Sequence, residues 1–243
     1  GQAQLSQLKR YEIPAERGTI FALDGDEKVP VVLNELRYNI VADPQIIIDK
    51  EETALRMADI LKTNKDDIKK SLERESRYEI LAKKQTKDVK EKVEKLMADG
   101  DIIGVFAEKT VQRVYPQWAL AAQVVGFVDD DSKGRYGIEE SLQQDLSGTA
   151  GRVRALTDQN GIPLLANGEN VQVDPIGGLD VTLTIDVAMQ KQAEKILQDG
   201  LKSAISESGS VIIIDPNSGA IKAMANYPSY NPAEFQKVED AQI

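Results

Sequence analysis

Ser6-Gln7-Leu8-Lys9 sets a serine and a lysine in a spacing that fits a lysine-activated nucleophile, and Ser229-Tyr230-Asn231 sets a second serine two residues before an asparagine. The sequence has neither His nor Cys. That removes imidazole bases, the Ser-His-Asp triad, thiol nucleophiles, disulfides and thiolate metal sites together. What survives is carboxylate acid–base work, a serine or threonine activated by lysine, or no catalysis. A carboxylate pair would need two acids about 5 to 10 Å apart across a cleft, and the sequence nominates none. Ser6 lies in a polar stretch that cannot desolvate a lysine into a base. Both patterns are short enough to arise by chance in a chain with this much serine and lysine. No catalytic residue, metal or cofactor is therefore assigned.

The elements that would position any site follow from periodicity. Residues 1–16 are polar with little period and read as a tether. Arg17 to Gly25 predicts a strand closed by an Asp-Gly turn, and Tyr38 to Ala42 and Ile46 to Ile48 predict further strands. From Glu51 to Asp99 the pattern is helical, with Leu55, Ala58 and Leu61 on one face, Ile68 and Leu72 on a second, and Val89, Val93 and Leu96 on a third. Asn64 and Thr86 are the expected N-caps, and Asp66 and Asp67 sit where the helix dipole favours carboxylates. The charge-dense stretch KDVKEKVEKL reads as a solvated helix surface with i,i+4 pairs.

Further on, a strand runs through Tyr115-Pro116 into a short alanine-rich helix, and another helix lies between Gly137 and Gly148. Arg152 to Thr157 and Val181 to Thr184 predict strands. Asp186 caps a long helix with Met189, Ala193 and Leu197 on one face. Val211 to Ile214 has the unbroken β-branched pattern of a strand buried on both faces. Asp215-Pro216-Asn217-Ser218-Gly219 then supplies turn chemistry, and Ala220 to Ala225 returns as the second strand of a hairpin. Two strands do not hold together alone in water, so this hairpin needs partners elsewhere.

A length of 243 residues with 41% hydrophobic content can bury a substantial core in one large domain or two ordinary ones. The formal charge of −10 argues against a nucleic-acid surface, which needs clustered Lys and Arg. No stretch approaches the roughly 18 apolar residues of a membrane span, and the first residues carry no signal-peptide pattern.

Four segments together resemble the class B penicillin-binding proteins, the membrane-anchored D,D-transpeptidases that cross-link peptidoglycan. RGTIFALDG is similar to their first amino-terminal motif, with Arg17, Gly18, Asp24 and Gly25 in the matching places. RVYPQWALAAQVVGFV is similar to the second, through Arg113, Tyr115, Pro116 and Gly126. YGIEESLQQDLSGTAG is similar to the third, through Gly137, Glu139, Leu146, Gly148 and Gly151. LDVTLTIDVAMQKQAEKIL and the hairpin resemble the opening of the transpeptidase domain. Two departures weaken assignment to any one subfamily: LDGDEK is shortened and acidic, and Gln123 stands where the family commonly has His.

The resemblance implies an α+β fold: an irregular strand-and-helix pedestal over 17–174 with a charged helical insertion at about 51–99, then a truncated start of the transpeptidase domain over 175–243. It implies that Arg17, Arg113 and Glu139 meet in a structural ion cluster, with Glu139 bridging the two arginines. It also implies that the Ser-x-x-Lys, Ser-x-Asn and Lys-Thr-Gly motifs would follow the hairpin, beyond Ile243. The implied partners are a SEDS-type glycan polymerase and other cell-wall synthesis proteins on the pedestal. β-Lactam and peptidoglycan stem peptide would bind only the full-length parent. The parent would be held by a membrane helix absent from this sequence, with the rest extracytoplasmic. A stand-alone extracytoplasmic scaffold without enzyme activity is the alternative.

Overall fold

The computed structural model describes residues 7–117, 119–157 and 171–237; Ser6 lies outside the described residues. The fold is α+β. Along the chain, β1 (Gln7–Ile13), β2 (Ile20–Asp24) and the long β3 (Glu27–Ala42) precede α1 (Lys50–Leu61), α2 (Lys65–Leu72), β4 (Glu79–Gln85), α3 (Lys87–Ala98) and β5 (Val105–Val114). Then come the one-turn α4 (Ala122–Val125), the short ladder of β6 (Phe127–Val128) and β7 (Gly134–Arg135), and α5 (Gly137–Ser141) and α6 (Gln143–Ser147). β8 (Gly151–Thr157), β9 (Val171–Val173), β10 (Val181–Asp186), α7 (Val187–Ala204), β11 (Gly209–Ile214), β12 (Ile221–Tyr227) and 3-10 turns over Pro232–Lys237 follow. Two compact units result, one of residues 1–34 with 113–243 and one of residues 35–112.

In the first unit β2 lies between two partners. It pairs antiparallel with β3 and parallel with β10, whose Val181 stands opposite Ile20. Ile20 and Ala22 point into the core while Phe21 and Leu23 are only half-buried, the alternation of a strand with one covered face. The register slips between Ile20 and Phe21, beside Pro30, which cannot donate to the ladder. Tyr115, Ala122, Val125, Phe127 and Leu146 close the same core. The contact boundaries fall at 34/35 and 112/113, and β10 joins the sheet of β2.

Several expectations are corrected in this unit. Within the supposed tether, β1 pairs antiparallel with β8 from Gln7 opposite Thr157 to Ile13 opposite Gly151. Its apolar residues Leu8, Tyr11 and Ile13 do not alternate regularly, so the strand period is broken in the sequence. The single helix expected between Gly137 and Gly148 is two short helices that meet at Leu142, outside helical geometry at φ −110° and ψ 27°. On α7 the buried face is Val187, Gln190, Ala193 and Leu197, and Met189 is 46% exposed. β11 is not buried on both faces: Ile212 and Ile214 are each 54% exposed. Among the described residues its only ladder partner is β12, and α7 packs on the hairpin mainly through Ala193 and Leu197 against Ala223 and Ala225.

The second unit buries Ile40, Ala54, Met57, Leu72, Val93 and Val105. The buried face of α1 is Thr53, Ala54 and Met57, one residue out of phase with the expected Leu55 face, and Leu55 is 52% exposed. No strand forms at Ile46 to Ile48. Asp43 and Pro44 turn the chain there, Asp43 Oδ1 accepting the Gln45 N–H at 3.0 Å. The helical region is broken by β4, which pairs with β3. Asn64 caps α2 by accepting the Asp66 N–H at 2.7 Å, whereas Thr86 occupies the cap position of α3 without a side-chain bond. The charged face of α3 carries the i,i+4 pairs Lys87–Glu91, Lys90–Glu94 and Lys92–Asp88.

Glu51 ties α1 to α2 through Lys65 and Lys69, the latter at 2.7 Å. Hydrogen bonds from Lys65 and then Lys69 hold its carboxyl down at about 2. A folded value below the unfolded one means the contribution is present above the ordinary carboxylate range and is lost as pH falls through that range toward about 2. Glu51→Gln should therefore lower the thermal midpoint at pH 7, with the gap to the parent chain closing by pH 2. Circular dichroism melts at both pH values check this, and a gap that persists at pH 2 contradicts it.

Candidate functional site

Three charged side chains far apart in sequence meet in the first unit. Glu139 on α5 is fully buried, and its two oxygens face different arginines. Arg17 Nε donates to Oε2 at 2.7 Å, and Arg113 Nε donates to Oε1 at 2.9 Å. Arg17 uses its remaining nitrogens close by: Nη1 donates to Gln143 Oε1 and Nη2 to the Glu139 carbonyl, both at 2.9 Å. Arg113 Nη1 donates to Asn34 Oδ1 at 2.9 Å, and Asn34 Nδ2 donates back to the Arg17 carbonyl. Gln143 Oε1 also accepts the Gly134 N–H at 2.8 Å. Side-chain exposure is 9% for Arg17 and 6% for Arg113. Burial pushes the Arg113 guanidinium below its usual value, and the Glu139 carboxylate opposes that shift.

Local structure brings these groups together. Arg17 immediately precedes β2, Arg113 is the penultimate residue of β5, and Asn34 lies on β3. The backbone around Arg17 is clamped on both sides: Gly18 N–H donates to the Leu146 carbonyl at 2.8 Å, and Thr19 N–H to Asp180 Oδ1 at 2.7 Å. A Cβ at Gly18 would stand 1.9 Å from the Leu179 carbonyl oxygen, so only glycine allows this approach. Gly148 adopts φ +66°, with a Cβ position 2.3 Å from the Ile176 carbonyl oxygen.

The other motif residues fall around this centre. Asp24 ends β2 and Gly25 forms the turn into β3, its N–H reaching Asp186 Oδ2 at 3.3 Å. Tyr115 is buried and Pro116 exposed. Gly126 ends α4, Gly137 begins α5, Leu146 is fully buried and Gly151 opens β8.

Ser229 and Asn231 sit elsewhere in the first unit, lining an open cleft with Glu194, Tyr227, Glu234 and Lys237. The lysine there is 75% exposed and lies 3.1 Å from Glu234, so it is not desolvated as a lysine base must be. No group of side chains able to hold a metal ion occurs among the described residues. Sequence reasoning missed four polar partners. Asn34 and Gln143 complete the ion cluster. Gln190 pairs both ways with the Met224 backbone, at 2.7 and 2.9 Å, and Glu194 accepts the Ala121 N–H at 2.8 Å. Only Gln190 carried a signal, as a polar residue in phase with Ala193 and Leu197.

The family model described as Penicillin-binding Protein dimerisation domain matches residues 12–183. The chain belongs to the class B penicillin-binding proteins. It is 30% identical over 205 residues to the peptidoglycan D,D-transpeptidase FtsI homolog of Chlorokybus atmophyticus, covering 84% of this chain and 30% of that one. The chain thus spans about a third of the length of the curated relatives it matches. Among solved structures it is similar to a peptidoglycan synthetase from Bifidobacterium adolescentis, with a TM-score of 0.67 and 27% identity, over 95% of this chain and 46% of that one. The fold also matches a complex between penicillin-binding protein PBP2 and MreC from Helicobacter pylori, with a TM-score of 0.69 and 20% identity, over 94% of this chain and 44% of that one.

In a penicillin-binding protein of this geometry, removing the bridging carboxylate strands two buried guanidinium groups. Glu139→Ala should destabilise the chain by about 3 to 5 kcal/mol. Glu234→Ala, which breaks an exposed pair, should change it by less than about 1 kcal/mol. Urea unfolding of both variants makes the comparison, and similar losses would remove the special standing of Glu139.

Proposed function

We propose that this chain is the non-catalytic pedestal of a peptidoglycan-cross-linking D,D-transpeptidase, residues 17–174, joined to the opening of its transpeptidase domain, residues 175–243. The observation that carries this reading is the Arg17–Glu139–Arg113 cluster, which unites three separated motifs inside the span matched by the family model. Its task is mechanical. The buried carboxylate holds the ends of β2 and β5 to α5, and β10, paired to β2, leads into α7 and the β11–β12 hairpin. Cross-linking by an acyl-serine intermediate belongs to the whole enzyme, with the acylating serine supplied by residues other than these 243.

The pedestal surface serves as a docking platform for a SEDS-type glycan polymerase and other cell-wall synthesis proteins. The complex of a fold neighbour with MreC supports docking of this kind. The whole protein is held at the bacterial membrane by an anchor helix, with the pedestal on the extracytoplasmic side; no described helix of this chain is long and apolar enough to cross a membrane.

The decisive experiment is incubation with a fluorescent penicillin followed by denaturing electrophoresis. The 243-residue chain should show no covalent label, while a full-length class B relative labels in the same assay. A label on this chain, mapped to Ser6 or Ser229, would overturn its assignment as non-catalytic.

A further inference from the structure

The outer edge of β12 is only partly used. Gln190 Oε1 accepts the Met224 N–H at 2.7 Å and Gln190 Nε2 donates to the Met224 carbonyl at 2.9 Å, so both main-chain groups of Met224 point away from β11. Antiparallel pairs alternate in this respect, so the same holds two residues on at Asn226, which stands opposite Ser210. Among the described residues β12 has no ladder partner except β11, and nothing hydrogen-bonds the Asn226 N–H or carbonyl. The strand thus presents one free donor and one free acceptor just beyond the place that Gln190 fills.

Glu194 stands at the same level. It lies one helical turn after Gln190 on α7. The Cβ position of Gly209, opposite Tyr227, is 3.0 Å from Leu201 Cδ2, so α7 and β12 advance in the same direction. Glu194 and Asn226 line one cleft of about 500 Å³, a volume suited to a small ligand. The half-buried Glu194 carboxylate is held through Oε1, which accepts the Ala121 N–H and a Gln190 N–H, both at 2.8 Å. Both donors are neutral, Oε2 takes no bond, and no Lys or Arg among the described residues pairs with it. The lysine that lines the cleft, Lys237, is 75% exposed and already paired with Glu234. The cleft therefore carries one uncompensated negative charge beside an open strand edge.

We propose that this cleft binds a short extended peptide bearing a lysine-type ammonium, its main chain adding to the edge of β12 at Asn226 and its ammonium pairing with Glu194. Strand addition supplies bonds that any peptide can make, and the carboxylate selects the side chain. Tyr227, also in the cleft wall, offers an apolar surface for the aliphatic stem of such a side chain. A metal ion is a poorer match, because no group of side chains able to hold one occurs among the described residues.

The test is an amide NMR titration of the isotope-labelled 243-residue chain with two capped tripeptides, acetyl-Ala-Lys-Ala-amide and its analogue with norleucine in place of lysine. The lysine peptide should bind saturably and move the Asn226 amide resonance downfield as that N–H gains a partner. The norleucine peptide should bind at least about tenfold more weakly. Glu194→Gln keeps an acceptor for Ala121 and Gln190 but removes the charge. It should weaken the lysine peptide by about tenfold and leave the norleucine peptide unchanged. Equal affinity for the two peptides overturns the proposal, as does the absence of saturable binding or a shift pattern that spares Asn226. So does a Glu194→Gln chain that binds the lysine peptide as tightly as the parent. Where that variant does not fold, the two peptides on the unaltered chain decide alone.

Discussion

A carboxylate removed completely from water must be paired, and in this chain that requirement falls on Glu139. Its two oxygens take separate arginines, so pairing it brings together residues 122 and 26 positions away. The bonds continue outward without a break. Arg17 reaches Gln143, which takes the Gly134 N–H, and Arg113 reaches Asn34, which returns to the Arg17 carbonyl. Five side chains thus tie Arg17 ahead of β2, Asn34 on β3 and Arg113 near the end of β5 to α5 and α6 within the first unit. Hydrophobic burial is non-directional, whereas these buried hydrogen bonds fix the orientation as well as the separation of the groups they join.

The cluster works only because backbone can approach backbone around it. The segment from Ile176 to Val181 runs against both the Arg17–Thr19 stretch and the Leu146–Thr149 stretch. Leu179 N–H donates to Asp145 at 2.8 Å, and Val181 N–H to Thr19 at 2.9 Å. Glycines at 18, 148 and 178 leave room for these bonds, each with a carbonyl oxygen where a Cβ would stand. In the third motif Gly137, Gly148 and Gly151 all have a carbonyl oxygen within 2.5 Å of where a Cβ would stand, so they are contact points of main chain rather than flexible joints.

How much of this could be read in advance depended on whether the signal was local. The charged trio was legible only through the resemblance of three segments to the family's motifs, which implied that Arg17, Arg113 and Glu139 meet. Caps and turns were legible too, since Asn64, Asp186 and the Asp215–Gly219 turn act within a few residues of themselves. Asn34 and Gln143 were not, because neutral polar residues look alike whether they face water or a buried guanidinium. The phase of α1 went wrong by one position: Leu55 is the larger hydrophobe, but Ala54 is the one that fits beneath the helix. β4 was masked by lysines on a strand whose inner residues are only half-covered. β11 misled in the other direction, as its isoleucines describe a covered strand while Ile212 and Ile214 stand more than half exposed.

The hairpin is nevertheless not loosely attached. Gln190, buried on α7, offers its amide to both the N–H and the carbonyl of Met224, acting as a short third strand beside β12. The same amide donates to Glu194, whose carboxylate accepts the N–H of Ala121, a residue held in left-handed geometry at φ 51°. The chain leaving β12 returns to that place: Gln123 donates to the Pro228 carbonyl, Tyr230 O–H donates to the Ala122 carbonyl, and Phe235 stacks on Phe127 at 5.0 Å. The alanine-rich segment after Tyr115 is therefore a seat whose small side chains let α7 and residues 228–235 come close enough to bond its backbone. Tyr115, two residues after Arg113, shares one buried core with Ala121, Ala122 and Tyr230, so the segment that follows the ion cluster is packed directly into the seat that holds the chain leaving β12.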